Sequence, residues 1–248
     1  MAASEASPAA LVSSSARLRL EKLFFPFMAM LIIGAVFLGF ARTFFLAPIY
    51  HYHLPNLLVA VHGVVFASWI ALFAIQTSLV AIGRVDLHRK LGVLGAILVG
   101  FVFVLAYAVM LEGVHRDFTF KGQGNSQILA LDVVGINFSF AMFVAGLLLR
   151  RKPEAHKRLM FLGTVAMVGP AVARWPFDFI SGHPPLVGVV LLSFAFATIL
   201  FDAVTMRRVH RATWVGTAGI FLVPPIAIAM SNTPFWHHLL ASLKQLFA

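Results

Sequence analysis

Long, sparsely charged apolar runs constrain this chain more than any other feature. A helix needs about 20 apolar residues to cross roughly 30 Å of hydrocarbon. Seven stretches meet that length, at residues 24–46, 57–82, 91–112, 127–149, 158–180, 185–206 and 212–231. Backbone amides in lipid must find partners within their own segment, so runs of this kind are helices. Charged residues make up only 11% of the chain, well under the roughly 25% of an ordinary soluble domain. The expectation is an all-α integral membrane bundle of seven transmembrane helices whose partner is the lipid bilayer. Short connections make consecutive helices antiparallel neighbours.

The formal net charge of +10 would suggest nucleic acid if the basic residues formed one water-facing stripe. They fall instead into short clusters between the apolar runs, which points away from nucleic acid and towards membrane topology. Fourteen Lys and Arg lie at residues 17–22, 84–90, 150–158 and 207–211, against Arg116, Lys121 and Lys244 on the other side. The positive-inside rule then places the N-terminus in the cytoplasm and the C-terminus outside. The small, polar residues 1–16 read as a disordered tail, residues 17–233 as the transmembrane domain, and residues 234–248 as an amphipathic helix on the outer interface. In that last segment Trp236, Leu239, Leu240, Leu243 and Phe247 recur at helical spacing. There is no cysteine, which excludes disulfides, thiolate metal sites and iron–sulfur clusters.

A motif repeats between the runs. "DLHRKLGVLG" at 86–95 and "EAHKRLMFLG" at 154–163 align without a gap, and "VHRATWVG" at 209–216 is a weaker third copy. This spacing implies one leading helix followed by three tandem hairpins of like orientation. Asp86 and Glu154 are expected to cap their helices, with the neighbouring Arg and Lys snorkelling to headgroups. His88, His156 and His210 then read as interfacial turn residues, with haem, headgroup or proton-relay roles as alternatives.

The candidate site lies at the other end. Arg42, His62, Asp132 and Arg174 each fall some four to six residues inside the outer end of a span, roughly 6–9 Å below the boundary at 1.5 Å per residue. Asp178 follows Arg174 by one turn, and Asn137 lies deeper on the helix of Asp132, within reach of Tyr107 and Glu112 on the third span. Charges at membrane depth are expected to pair inside the bundle. Arg42 with Asp132 and Arg174 with Asp178 are the expected pairs, and Asp202 is expected to pair with Arg207 or Arg208. Pro170 lacks an N–H and should free the carbonyl near residue 166, a break tolerated where a cavity or other groups satisfy the backbone.

Several chemistries fit these residues. His62 suits an axial haem ligand, although no second His is clearly buried at its depth. The pairs His51/His53 and His237/His238 are weak metal candidates, short of a full ligand set. The buried charges also fit a proton-coupled small-solute transporter. A structural layer in a non-catalytic subunit or assembly factor of a larger membrane complex is the competing class. No Lys lies within a span, which excludes a rhodopsin-like Schiff base.

The hairpin "VHGVVFASWIALFAIQTSLVAIGRVDLHRKLG", with His62, Trp69, Gln76, Arg84, His88, Arg89 and Gly92, resembles uncharacterised bacterial polytopic membrane proteins carrying an outer His and an "HRxLG" turn. It is more distantly similar to cytochrome b561-type hairpins, and "RKPEAHKRLM" is a second shared hallmark. The resemblance implies a bacterial inner-membrane protein with a link to haem or redox chemistry. The resulting expectation is an outward-facing intramembrane pocket for b-type haem, a quinone or another small hydrophobic ligand. In it His62 is ligand or proton acceptor, Arg42 and Arg174 hold an anionic group, and Asp132, Asp178 and Asn137 orient them.

Overall fold

The computed structural model describes residues 14–120 and 124–246, and every long element is a helix. Helix α1 (Ser14–Phe40) runs into a π-helical turn at Ala41–Phe45. α2 (Leu57–Ala81) and α3 (Val85–His115) form the first hairpin. The Asn56 side chain caps α2 by accepting from the Val59 N–H at 2.9 Å. Gly83 makes the tight turn to α3 with φ at +82°, a conformation that favours glycine. α4 (Asn125–Leu148) returns to the short helices α5 (Pro153–Ala166), α6 (Gly169–Val172) and α7 (Asp178–Ser181). α8 (Pro184–Met206) and α9 (Arg211–Ser231) complete the bundle, and α10 (Pro234–Leu246) closes one end. Helix α1 begins at Ser14, inside the expected tail, of which residues 1–13 lie outside the described ones.

Six helices are long and apolar enough to cross a membrane: α1 with its π turn, α2, α3, α4, α8 and α9. The chain is therefore a multi-pass helical membrane protein. Large apolar side chains face outward along these helices, among them Phe27, Phe101, Phe196 and Phe221. Such a surface suits lipid and would aggregate in water.

The fifth expected span, 158–180, is not one helix. α5 stops at Ala166, four residues before Pro170 and its missing N–H, and the chain then proceeds through turns and two four-residue helices. Helix α5 is nevertheless the centre of the bundle, packed against α4, α8 and α9. Phe161, Leu162 and Val165 on it are fully buried. Helix α1 packs on α2, α6 and α8, and close approach there depends on small residues. A Cβ on Gly39 would stand 2.1 Å from the Ala171 carbonyl oxygen.

Helix α10 is amphipathic as expected, but its apolar face meets protein. Trp236 and Leu240 are buried in a cluster with Val114, Leu129 and Ala227, and Leu243 packs beside them. The Trp236 indole donates to the Ser126 hydroxyl at 3.1 Å, and Lys244 pairs with Asp117 at 2.6 Å. Leu239 is exposed, and Phe247 lies outside the described residues. Bonds from Lys244 and then from Asn125 hold the Asp117 carboxyl below the ordinary carboxylate range.

Candidate functional site

At the end of the bundle that carries α10, three of the expected residues gather from three parts of the chain. Arg174 leaves the short helix α6, and its Nη1 donates to the Pro170 carbonyl at 2.8 Å, so the side chain closes the helix that the proline interrupts. Its guanidinium lies 5.1 Å from the Phe40 ring centroid and 4.8 Å from that of Phe120. Aromatic faces attract a cation and replace part of its lost hydration. Trp175 fixes this turn by donating from its indole to the Ala35 carbonyl of α1 at 3.0 Å.

Asp132 on α4 and His62 on α2 both lie within Coulombic reach of Arg174. Asp132 and Arg174 do not close into a salt bridge, and no described residue donates a hydrogen bond to the Asp132 carboxylate. The His62 ring stacks on Phe66 at 4.2 Å and sits beside the Leu105 backbone carbonyl of α3. Its Nδ1 is enclosed and has no protein partner. Tyr52 contributes its phenol to the surroundings of Arg174. The assembly is a cation, a carboxylate and an imidazole held near one another without neutralising contacts.

The other expected members are elsewhere. Arg42 is exposed and lies over the Tyr50 ring at 5.7 Å, so the expected Arg42–Asp132 pair does not form. A π turn carries more residues per turn than an α-helix, and the one at Ala41–Phe45 changes the face on which Arg42 emerges. Asp178 is exposed at the start of α7 and makes no ion pair with Arg174, because the turns before it end the helical register that would have stacked them. Asn137 bonds the Tyr107 hydroxyl at 2.5 Å and the Val133 carbonyl at 2.7 Å, joining α4 to α3. Glu112 bonds Asn56 at 2.5 Å and pairs with Arg116. His51, His53, His237 and His238 are exposed, and no group of three or more potential metal ligands converges among the described residues.

These residues do not fit a bis-imidazole b-type haem on His62, because no other imidazole is among the groups that act on that ring. The imidazole pair that forms, His88 with His156 at 6.2 Å between ring centroids, lies at the opposite, basic end.

That basic end holds a polar network the sequence reading missed. Arg158 on α5 and Asp202 on α8 are both fully buried. Arg158 Nε donates to the two Asp202 oxygens at 2.8 and 3.1 Å, and Nη2 adds a further contact. Arg158 Nη1 donates to the Glu154 carboxylate at 2.6 Å, and Lys157 pairs with Glu154 at 2.8 Å. Asp202 accepts in addition from the Thr213 hydroxyl at 2.5 Å and the His210 N–H at 3.0 Å. Arg158 is thus a core clamp joining α5, α8 and α9, where a snorkelling side chain was expected, and the expected pairing of Asp202 with Arg207 or Arg208 is replaced by it. Arg207 turns the chain out of α8 in a left-handed conformation, with φ at 54°.

Asp86 and Glu154 lie in the first turns of α3 and α5 as expected, and the Asp86 carboxylate faces the backbone N–H groups of Asp86 and Leu87 while pairing with Arg84 at 3.2 Å; Glu154 instead joins the clamp. The cap of α9 is His210, whose Nδ1 accepts from the Ala212 N–H at 3.0 Å. Burial, and next the Arg158 charge, lower the His210 pKa and keep that nitrogen free to accept. His156 bonds the Gly146 carbonyl at 2.8 Å, whereas His88 Nδ1 and Gln76 Oε1 are buried without partners.

Comparison with family models, with curated proteins and with solved structures finds no match.

Proposed function

We propose that this chain is a seven-pass inner-membrane protein of bacterial type whose outer polar centre binds a small ligand bearing a carbonyl or carboxylate oxygen, the quinone class included. In this reading the interrupted segment α5–α7 is the remaining pass. The basic end faces the cytoplasm, following the excess of Lys and Arg at that end. Discontinuous helices with charged groups at the break are the usual construction of intramembrane binding sites.

The observation that carries the reading is the unsatisfied state of His62, Asp132 and Arg174. A half-buried Arg and Asp that do not touch, beside an imidazole nitrogen with no partner, leave polar capacity which a ligand oxygen and its surroundings can complete. Arg174 supplies a fixed positive donor to that oxygen. Asp132 holds Arg174 in place through its field, and His62 gives or accepts a proton at the ligand edge. Resemblance of the first hairpin to bacterial polytopic proteins agrees with this reading but assigns no chemistry.

The test is equilibrium binding of a short-chain benzoquinone, and separately of a medium-chain carboxylate, to the detergent-purified chain. Trp175, next to Arg174 in sequence, reports binding by fluorescence quenching. Saturable quenching by one of the two, lost in Arg174→Gln and weakened in His62→Phe, is the expected result. Absence of saturable quenching with both probes in a folded protein would falsify the reading.

A further inference from the structure

A second site lies at the basic end, outside the polar centre just described. An open groove of about 530 Å³ runs between α4, α5 and α9. Its walls are apolar, formed in part by Met142, Ala145, Leu149 and Val215. Its mouth carries Lys152 and Arg211, both exposed and neither ion-paired among the described residues. Glu154 and His210 also line the mouth. The Glu154 charge is taken up by Lys157 and Arg158, and His210 is held neutral as a cap, so the charge offered outward is positive.

Two further features favour an anion here. Lys152 is the residue preceding α5 and His210 the residue preceding α9, so the positive ends of two helix dipoles open on the same mouth. The groove is also flanked by Arg150, Arg151, Arg207 and Arg208 in the adjoining turns. An apolar channel with a cationic rim at the end of a transmembrane bundle complements an amphiphile with a negative head and a hydrocarbon tail. Inorganic phosphate alone would leave the apolar walls unused. A zwitterionic lipid would bring its own cation beside its phosphate, against Lys152 and Arg211.

We propose that this groove is a binding site for an anionic phospholipid, its phosphate between Lys152 and Arg211 and one acyl chain against Leu149, Ala145, Met142 and Val215. Such a lipid wedges α4 against α9 beside the Arg158–Asp202 clamp. The site is independent of the outer polar centre, and it serves whichever leaflet the basic end faces.

Native mass spectrometry of the full chain, released from detergent containing phosphatidylglycerol or phosphatidylcholine of identical chains, tests it. One phosphatidylglycerol is expected to stay bound under conditions that strip phosphatidylcholine. Removing both cations in Lys152→Gln/Arg211→Gln is expected to lower that retention about 30-fold, the effect of two interfacial charges. Val215→Trp fills the channel from an exposed position and is expected to reduce retention with the charges intact. The double variant Arg84→Gln/Lys90→Gln, at a different basic turn, is expected to retain the lipid as the parent does. Equal retention of the two lipids overturns the proposal, as does full retention in Lys152→Gln/Arg211→Gln or in Val215→Trp. An equal loss in Arg84→Gln/Lys90→Gln shows diffuse surface attraction and overturns it too. All the substituted side chains are exposed, and circular dichroism with monodisperse elution establishes that each variant is folded.

Discussion

The two ends of the bundle use the same residue types to opposite ends. At the basic end Arg158, Asp202, Glu154, Thr213 and His210 meet at hydrogen-bond distance, and every Asp202 oxygen has partners. At the other end Arg174, Asp132 and His62 are near one another but out of contact, and a ring nitrogen is left over. Saturated polar groups hold helices together; unsaturated ones have capacity to give to something else. The presence of charge inside a membrane bundle therefore says little by itself. What matters is whether the charges have used up their bonds on one another.

The comparison breaks most readily at the clamp. Arg158→Met leaves Asp202 buried and unpaired, and a loss of about 3–5 kcal/mol is expected in equilibrium unfolding from mixed micelles. Pairing it with Asp202→Leu should recover much of that loss, since a matched apolar pair removes both desolvation costs. Arg174→Gln at the outer centre is expected to cost less than half as much in the same assay while abolishing ligand quenching. Equal losses from Arg158→Met and Arg174→Gln would erase the distinction between the two ends.

Smaller effects sharpen the picture. His210→Ala removes the cap of α9 and is expected to cost about 1 kcal/mol, with His210→Asn restoring most of it. Because the folded-state pKa of His210 is lowered, its contribution is complete above the free imidazole value and declines as pH falls below it. Thermal unfolding of His210→Asn should show a weaker dependence on pH across that range. The smallest effect concerns α10. The Asp117 carboxyl is held low by Lys244, so the bridge is present above the ordinary carboxylate pKa and is lost as pH falls through the depressed one. Hydrogen exchange in residues 234–246 should rise over that acid range in the parent and stay flat in Lys244→Gln.

Much of this architecture is readable from apolar runs and prolines. The helical class, the hairpins and the stop of α5 ahead of Pro170 all follow from residue chemistry along the chain. So does the common depth of His62, Asp132 and Arg174, since depth in a span is set by counting residues. Direction is not. Arg42 was lost to a π turn, which changes helical phase without a marker in composition, and Asp178 to the break that Pro170 and Pro176 make before α7. Arg158 escaped notice because it stands in a basic cluster where every cation looks like a headgroup contact. Its partner lies 44 residues away, and only the packing of α5 against α8 brings them together. One signal was present: Glu154 and Arg158 stand one helical turn apart beside a lone acid near the end of the following long helix.

That long separation has a consequence for synthesis. Helix α5 emerges from the ribosome carrying Arg158 well before Asp202 has been translated. An arginine at a helix centre costs about 2.5–3.5 kcal/mol on insertion scales, and one near a helix end avoids that cost by snorkelling to the headgroups. Until Asp202 arrives, the start of α5 is therefore held at the interface with Arg158 turned to the headgroups. Truncation after α7 should therefore leave this segment accessible to proteases, whereas the complete chain should bury it.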